Sequence, residues 1–424
     1  MSGQVRPGYK LTEIGVIPED WQAAQLGQKA DIAHGYPFES QYFVERGQYM
    51  LTTPGNFYEG GGFRYLGSKQ KHYAGPVPNN YLLKSGDLIV AMTEQADGLL
   101  GSAALIHDSE KYLHNQRLGR VHLTCSDVEK KYLFYVFNSN YYRCKVRETS
   151  AGTKVKHTSP QKLREIQIPI PPKSEQIAIA AALSDVDILI SSLDQLIAKK
   201  LDIKQAVTQK LLTGHLRLPG FSGAWEVKPM RALGCTYGGL TGKTKSNFGH
   251  GDARYIPFMN VITDTVIDPG WLEPVDIAPD EVQNLAKKGD LFFNGSSETP
   301  EEVGFCSVLL EDIPSLYLNS FCFGFRFNSS AKVNGLFFAY WFRSRQGRTA
   351  TSVLAQGATR YNIAKGAFMQ LEIPQPSEDE QTAIATVLSD MDGELATLKT
   401  RCDKARQIKL GMMQELLIGR VRLK

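Results

Sequence analysis

At 424 residues the chain is too long for one ordinary hydrophobic core, and two or three domains are expected. Its 42% hydrophobic and 22% charged content is that of a globular protein, not a disordered or fibrous one. A formal net charge of +4 is too slight to require a nucleic-acid partner. No apolar run reaches the ~18 residues that a membrane span needs, and the opening "MSGQVRPGYKLTEIG" holds no apolar signal core. The six cysteines (Cys125, Cys144, Cys235, Cys306, Cys322, Cys402) form no CxxC pair. Reduced thiols, a cytoplasmic location and no disulfide, zinc or other metal framework are therefore expected.

From about residue 20 to 165, short strand-like runs such as "GDLIVAM" and "GSAALI" are punctuated by glycine, a mixed α and β pattern. An aromatic-rich opening (Tyr36, Tyr42, Phe57, Tyr58, Phe63, Tyr65) reads chiefly as core packing. The loop "TEQADGLLG" at 93–101, which includes Gln95, carries side chains of the kind that read base edges in a major groove. The same residues are also ordinary turn formers. A helix is expected near "VEKKYLFYVFNS". Residues 143–157, "RCKVRETSAGTKVKH", then bring five Lys/Arg against one acid. Arg143, Lys145, Arg147, Lys154 and Lys156, with Thr153, suit phosphate contacts; the plainer alternative is a solvated helix end.

Pro171 and Pro172 open a long helix. From Ile179, seam positions recur at steps of four and three: Ile179, Leu183, Val186, Ile190, Leu193, Ile197, Lys200, Lys204, Val207, Leu211. That 3.5-residue period predicts a coiled-coil seam, widened by Leu189, Leu196 and Ile203. Gly214 suits a C-terminal cap. Beyond it, "GGLTGKTKS" at 238–246 resembles a phosphate loop, but Tyr237 stands where that motif needs glycine. It reads instead as the opening of a second globular part, with Lys243 and Lys245 as candidate phosphate contacts.

Residues 221–370 bring further strand-like runs, "RYIPFMNVI" and "VGFCSVLL", the polar loop "NGSSETPEEVG" and a helical "GLFFAYWFRSR". Residues 343–360, "RSRQGRTATSVLAQGATR", hold four arginines and no acid. Arg343, Arg345, Arg348 and Arg360, with Thr359, match the first basic stretch in position. A second seam follows: Ile384, Leu388, Met391, Leu395, Leu398, Cys402, Ala405, Lys409, Met412, Leu416. Ser377 through Glu380 fits a capping box, and Gly419 repeats Gly214.

These parallels form one internal repeat. Between 168–187 and 373–392, twelve of twenty positions are identical, including Glu175/Glu380, Gln176/Gln381 and Leu-Ser-Asp-x-Asp. "QKLLTGHLRL" pairs with "QELLIGRVRL", and "DWQAAQLG" resembles "AWEVKPMRALG". The chain reads as a tandem duplication of a unit of about 200 residues, too long for a solenoid repeat. The expected fold is α+β: two globular α/β parts in pseudo-two-fold tandem repeat, separated by two long helices pairing antiparallel as a coiled coil. The expected boundaries are 1–165 and 221–370 for the globular parts, and 166–220 and 371–424 for the helical spacers. The two termini are expected close together.

The "IPIPPKSEQ" and "IPQPSEDEQ" openings, the L-S-D-x-D helices, "QKLLTG"/"QELLIG" and the restarts at Trp21 and Trp225 resemble the specificity subunit of type I restriction–modification enzymes. The resemblance spans the whole chain and is weak inside the globular parts. It implies two target-recognition domains held by conserved spacers, and a bipartite, asymmetric double-stranded DNA target. It also implies assembly with two methyltransferase subunits and with restriction subunits. No catalytic residue and no cofactor would belong to this chain. S-adenosylmethionine, ATP and magnesium would be bound by its partners, away from any membrane. Two readers contacting major-groove segments about one helical turn, roughly 34 Å, apart are compatible with helices of roughly 55 Å.

Two other readings compete. A self-contained DNA methyltransferase would need an N/D-P-P-Y/F tetrad, which the sequence lacks, and a nuclease would need an ordered carboxylate set, for which the scattered acids leave room although nothing in the sequence arranges them. A coiled-coil scaffold without DNA accounts for the helices but leaves the matched basic stretches as coincidence.

Overall fold

The computed structural model describes residues 6–94, 98–107, 111–152 and 155–423. Internal contacts group it into two units, Met1–Asp194 with Arg401–Lys424, and Gln195–Thr400. Each unit therefore takes residues from both copies of the repeat.

In the first unit the strands are β1 (Gln22–Gln25), β2 (Ala30–His34), β3 (Leu88–Ala91), β4 (Ala103–Leu105), β5 (Leu118–Leu123) and β6 (Gln167–Ile170). Its helices are α1 (Lys130–Phe137), α2 (Asn140–Glu148) and the first part of α3 (Lys173–Leu211). An antiparallel sheet runs in the order β2-β5-β3-β4. Every residue of β3, "LIVA", is buried, as a continuous apolar run in a central strand should be. Leu88, Val90 and Val121 pack with Tyr132, Leu133 and Val136 of α1, with Ile179 and Leu183 of α3, and with Met413, Leu416 and Leu417. β6 pairs antiparallel with β1 and delivers the chain into α3. A smaller sheet, joined by the parallel pairing of Tyr112–His114 with Tyr49–Thr52, surrounds Phe38, Leu51, Tyr73 and Leu113.

The second unit repeats this plan. Its strands are β7 (Glu226–Pro229), β8 (Gly234–Gly238), β9 (Leu291–Asn294), β10 (Cys306–Val308), β11 (Cys322–Phe327) and β12 (Glu372–Gln375). The helices are α4 (Gly335–Arg343), α5 (Arg345–Ser352) and the first part of α6 (Glu378–Leu416). The sheet order β8-β11-β9-β10 matches the first unit strand for strand, and β12 pairs with β7. Its core is more aromatic: Phe293, Phe323, Phe342 and Phe368 stack or meet edge to face with ring centroids 4.8–5.8 Å apart.

α3 and α6 have 39 residues each, about 58 Å at 1.5 Å per residue. They pack antiparallel in both units. Asp187 meets Lys409 and Asp194 meets Arg406, each at 2.7 Å, in the first. Lys200 meets Glu394 at 2.7 Å in the second, one turn from the ion pair of Lys204 with Asp392. Leu183, Leu193, Leu388 and Leu395 are buried, while Val186, Ile190, Ile197, Met391 and Leu398 are partly buried. Leu189, Leu196 and Ile203 do not widen the seam: each is 40% exposed, because a 3.6-residue helix carries them off the facing side. By length and composition alone α3 is long and apolar enough to cross a membrane. Its apolar surface goes partly to the core of each unit, Ile179 and Leu183 in the first and Leu211 in the second, and partly to this exposed stripe.

The shared residues of the two copies do identical work. Glu175 Oε2 accepts from Trp21 Nε1 at 2.9 Å, and its carboxylate takes Arg422 Nε and Nη2 at 2.7 and 2.8 Å. In the second unit Glu380 takes Trp225 Nε1 at 3.1 Å and Arg217 Nε and Nη2 at 2.5 and 2.7 Å. Ser377 caps the amide of Glu380. The other half of the expected capping box is missing, because the Glu380 side chain is turned to Trp225 and Arg217. Gln176 and Gln381 cap the loops before α1 and α4 through the amides of Glu129 and Asn334, each at 2.8 Å. Asp187 also accepts from Tyr135 Oη at 2.9 Å and Asp392 from Tyr340 Oη at 2.7 Å. The seam lysines Lys204 and Lys409 are thus ion-paired and are not loose ends. In the first unit Tyr9 Oη donates to the carbonyl of Gly419 at 2.9 Å, so the described ends of the chain lie together as expected.

Candidate nucleic-acid interface

α2 and α5 carry the two basic stretches, and both begin at a capping serine. Ser139 accepts from the amide of Tyr142, and Ser344 from that of Gly347. This fixes which residues of each helix face inward. In the first unit Arg143 is buried and, among the described residues, donates to the main-chain carbonyls of Leu100 at 2.8 Å, of Glu59 at 2.9 Å and of Gly98. Lys145 is partly exposed and pairs with Glu148 at 2.8 Å; Arg147 is exposed. Lys156 lies in a two-residue strand beside Thr93 and Glu94, its Nζ 3.8 Å from Glu94. Gln95, Thr153 and Lys154 lie outside the described residues.

In the second unit Arg343 is drawn inward, donating to the carbonyls of Cys306 at 2.5 Å, Val261 at 2.9 Å and Asp264 at 2.6 Å. Burial lowers its pKa. Arg348 donates to the carbonyls of Glu301 and Val303 at 2.6 and 2.5 Å. Burial brings Arg143 and Arg348 each down to about 10, which leaves both protonated at neutral pH. Lys243 is consumed by the Asp276 carbonyl at 2.6 Å and by Glu281. The stretch that resembled a phosphate loop leads into a single 3-10 turn, Lys245–Asn247, not into a long helix.

Lys245, Arg345, Thr359 and Arg360 are exposed. Arg360 lies over the Phe321 ring at 5.3 Å. Arg345 borders a cleft of about 470 Å³ together with Lys210, Thr213 and His215. No motif marks Lys210 and His215 in the sequence. Of the aromatic-rich opening read chiefly as core packing, Tyr58 and Tyr65 are the exceptions, 53% and 57% exposed, with Arg64 over the Tyr58 ring at 5.6 Å. Aromatic residues near a sheet carry no mark that separates inward from outward in a loop. Among the described residues no cluster of three His, Cys, Asp or Glu is placed to hold a metal ion, and the six cysteines are free.

The chain matches the type I restriction modification DNA specificity domain over residues 18–201 and 283–406. It is 28% identical over 211 residues to the type I restriction enzyme MjaVIII specificity subunit of Methanocaldococcus jannaschii, a match covering 50% of this chain and 49% of that protein. A putative MjaX specificity subunit of the same organism is 22% identical along 98% of this chain and 97% of its own length. The crystal structure of a type I restriction–modification system S subunit from M. genitalium superposes with a TM-score of 0.59 at 15% identity, over 97% of this chain and 98% of that one. That likeness concerns the fold.

Proposed function

The chain belongs to the type I restriction–modification DNA specificity family, and from that premise we propose that it reads a bipartite, asymmetric double-stranded DNA sequence, one half with each unit, for a restriction–modification complex. Residues 1–165 and 221–370 are the two target-recognition domains in this reading, and 166–220 and 371–424 are the spacers. The carrying observation is the contrast between the two units. Their sheets have the same strand order and their helix-anchoring bonds repeat residue for residue, yet the loops beside their basic helices share almost no sequence.

Backbone contacts position a protein on DNA, and base contacts give it specificity. Arg147, Lys245, Arg345, Thr359 and Arg360 are exposed and Lys145 is partly so, which suits phosphate contacts in this reading, and Lys156 lies beside Thr93 and Glu94. Two methyltransferase subunits, using S-adenosylmethionine, and restriction subunits using ATP and magnesium, would supply the chemistry in the cytoplasm. The exposed apolar residues of α3 suit a helical partner. This chain would then be a non-catalytic subunit.

The test is long-read methylome sequencing of cells expressing the chain with its cognate methyltransferase. A motif of two unlike halves separated by an unspecified gap is expected. Deletion of residues 221–370 should abolish recognition of one half; persistence of both halves would overturn the two-reader assignment. Methyl transfer by the purified chain alone would restore the enzyme reading.

A further inference from the structure

The turns that lead into β5 and β11 are built alike. Asn115 and Asn319 each stand three residues before their strand, and the pairs Leu118–Ala91 and Cys322–Asn294 set the two strands in the same register. Each asparagine side chain accepts from the amide two residues on, that of Arg117 at 3.1 Å and that of Phe321 at 2.8 Å, which closes an Asx turn. A glycine passes close by: a Cβ on Gly35 or Gly239 would lie 2.0 Å from the carbonyl oxygen of Asn115 or Asn319. The carbonyl of Arg117 accepts from Met92 N at 2.9 Å, and that of Phe321 from Gly295 N at 3.0 Å. The carbonyls of Met92 and Gly295 in turn accept from the amides of Thr158 and Ile363, at 3.0 and 3.1 Å. In each unit a turn and a short strand are thus fastened to one residue, the first after β3 or β9.

Only this frame is shared. The turn tips read Gln116-Arg117 and Ser320-Phe321, and the residue before the anchored amide is His157 in one unit and Asn362 in the other. All of these side chains are exposed. Arg117 enters no ion pair among the described residues. Phe321 is 54% exposed, and Arg360 lies over its ring at 5.3 Å. Thr93 Oγ1 meets His157 Nδ1 at 3.2 Å, which leaves Nε2 for a ligand. Asn362 spends one Nδ2 donor on Arg360 O at 3.3 Å, which keeps its other donor and Oδ1 for a base. Side chains that read a ligand must project from main chain that does not drift, and here they do. Their chemistry fits the major groove as well: arginine takes guanine O6 and N7, asparagine takes adenine N6 and N7, and phenylalanine meets the thymine methyl group.

We propose that Arg117 and His157 are specificity-determining residues of the first unit, and Phe321 and Asn362 those of the second. The same two backbone positions present unlike side chains to the bases of each half-site. Arg117 is assigned a guanine and Phe321 a thymine methyl group, while Arg360, braced on the Phe321 ring, stays with the phosphates. The inference rests on the DNA-reading function proposed above and deepens it.

The experiment uses the full chain with its cognate methyltransferase partner. Each of the four residues is replaced by alanine, and the variants are compared with wild type by methylome sequencing. Binding is then measured to duplexes with one base pair changed in one half, at several salt concentrations. Arg117→Ala should remove a preference of about tenfold for guanine at one position, with the other half unchanged. Phe321→Ala should weaken the preference for thymine at one position of that other half by about fivefold or more. His157→Ala and Asn362→Ala should each relax a second position, in the half read by Arg117 and by Phe321 respectively. A uniform loss across sequences, with the slope of log K against log salt reduced by about one, would make Arg117 a phosphate contact and overturn the assignment. Unchanged half-sites, or Arg117 and Phe321 acting on the same half, would overturn it as well. Should Arg117→Ala not fold, Arg117→Gln keeps a long polar side chain and should lose guanine at the same position. A wild-type complex that yields no bipartite motif would overturn the DNA-reading function itself, and the inference with it.

Discussion

Replacing Glu380 with glutamine tests how the repeated Glu-Gln pair holds the second unit. Glu380 is 2% exposed and accepts three bonds, two from Arg217 and one from Trp225. Glutamine keeps one oxygen but turns an NH2 toward a guanidinium, donor against donor. Removing one partner of a fully buried pair costs about 3–5 kcal/mol. The Arg217 side chain is 23% exposed and retains the carbonyl of Gly223, so solvent lowers the expected cost to about 2–3 kcal/mol. Glu175→Gln makes the same change in the first unit, where the carboxylate accepts from Trp21 and twice from Arg422. There, however, Arg422 also holds Asp20 at 3.0 and 2.7 Å and keeps a carboxylate partner. Its cost should be only about 1–2 kcal/mol. The ordering is the sharp part of the prediction. Urea denaturation followed by tryptophan fluorescence, with unchanged m-values, measures both variants. If Glu175→Gln destabilises as much as Glu380→Gln, the account of Asp20 as a second anchor is wrong. If both cost less than ~0.5 kcal/mol, the range of an ordinary surface substitution, these carboxylates do not hold the units at all.

Three further outcomes follow from other parts of the molecule. Burial holds the His114 imidazole at about 4, against 6.5 for the free group, so between those values only the unfolded chain takes up the proton. Stability should fall by roughly 3 kcal/mol as pH drops through that window, and His114→Gln should flatten the loss when denaturation is compared at the two ends. The ion pairs Lys409–Asp187 and Lys204–Asp392, each with a side chain at least 18% exposed, should show coupling energies of about 1 kcal/mol in double-mutant cycles; values near zero would make the seam lysines passive. Arg147→Ala, Arg345→Ala and Arg360→Ala should each lower the salt slope of DNA binding by about one without changing the half-sites, and a changed half-site would mean that the residue reads a base.

The repeat was legible because its residues answer to fixed partners. Glu175, Gln176 and Asp187 each meet a residue that is also duplicated, so drift in one copy is checked by geometry, and the similarity survives as a readable motif. The helices were legible through their period, although period alone placed Leu189, Leu196 and Ile203 on the seam. A stripe spaced by sevens drifts around a 3.6-residue helix, and only the packed partner shows where it stops being buried. The basic stretches were legible as charge and not as sites. Arg143, Lys145 and Arg147 alternate along one run of sequence, but the capping serine sets the phase of α2 and turns Arg143 beneath the loops while Arg147 points outward. The same holds for Arg348 against Arg345. Which arginine of a helix is structural depends on a cap and on carbonyls some forty residues earlier in the chain, and no local pattern carries that information.

The same physics separates what is repeated from what differs. Arg422 belongs to the second copy of the repeat but completes the Glu175 site of the first unit, and Arg217 of the first copy completes the Glu380 site of the second. The "HLRL" and "RVRL" tails must therefore each fit a carboxylate and a tryptophan supplied by the other copy. A substitution in one tail strands a buried carboxylate in the unit it joins, at a cost of kcal/mol. The loops after β3 and β9 are less constrained. Arg143 and Arg348 hold main-chain carbonyls there, which any side chain can supply, while Leu100 and Val303 each fill a core. Folding therefore fixes the frame of both copies and the apolar end of each loop. That division suits two units that must follow two unrelated stretches of DNA on one frame.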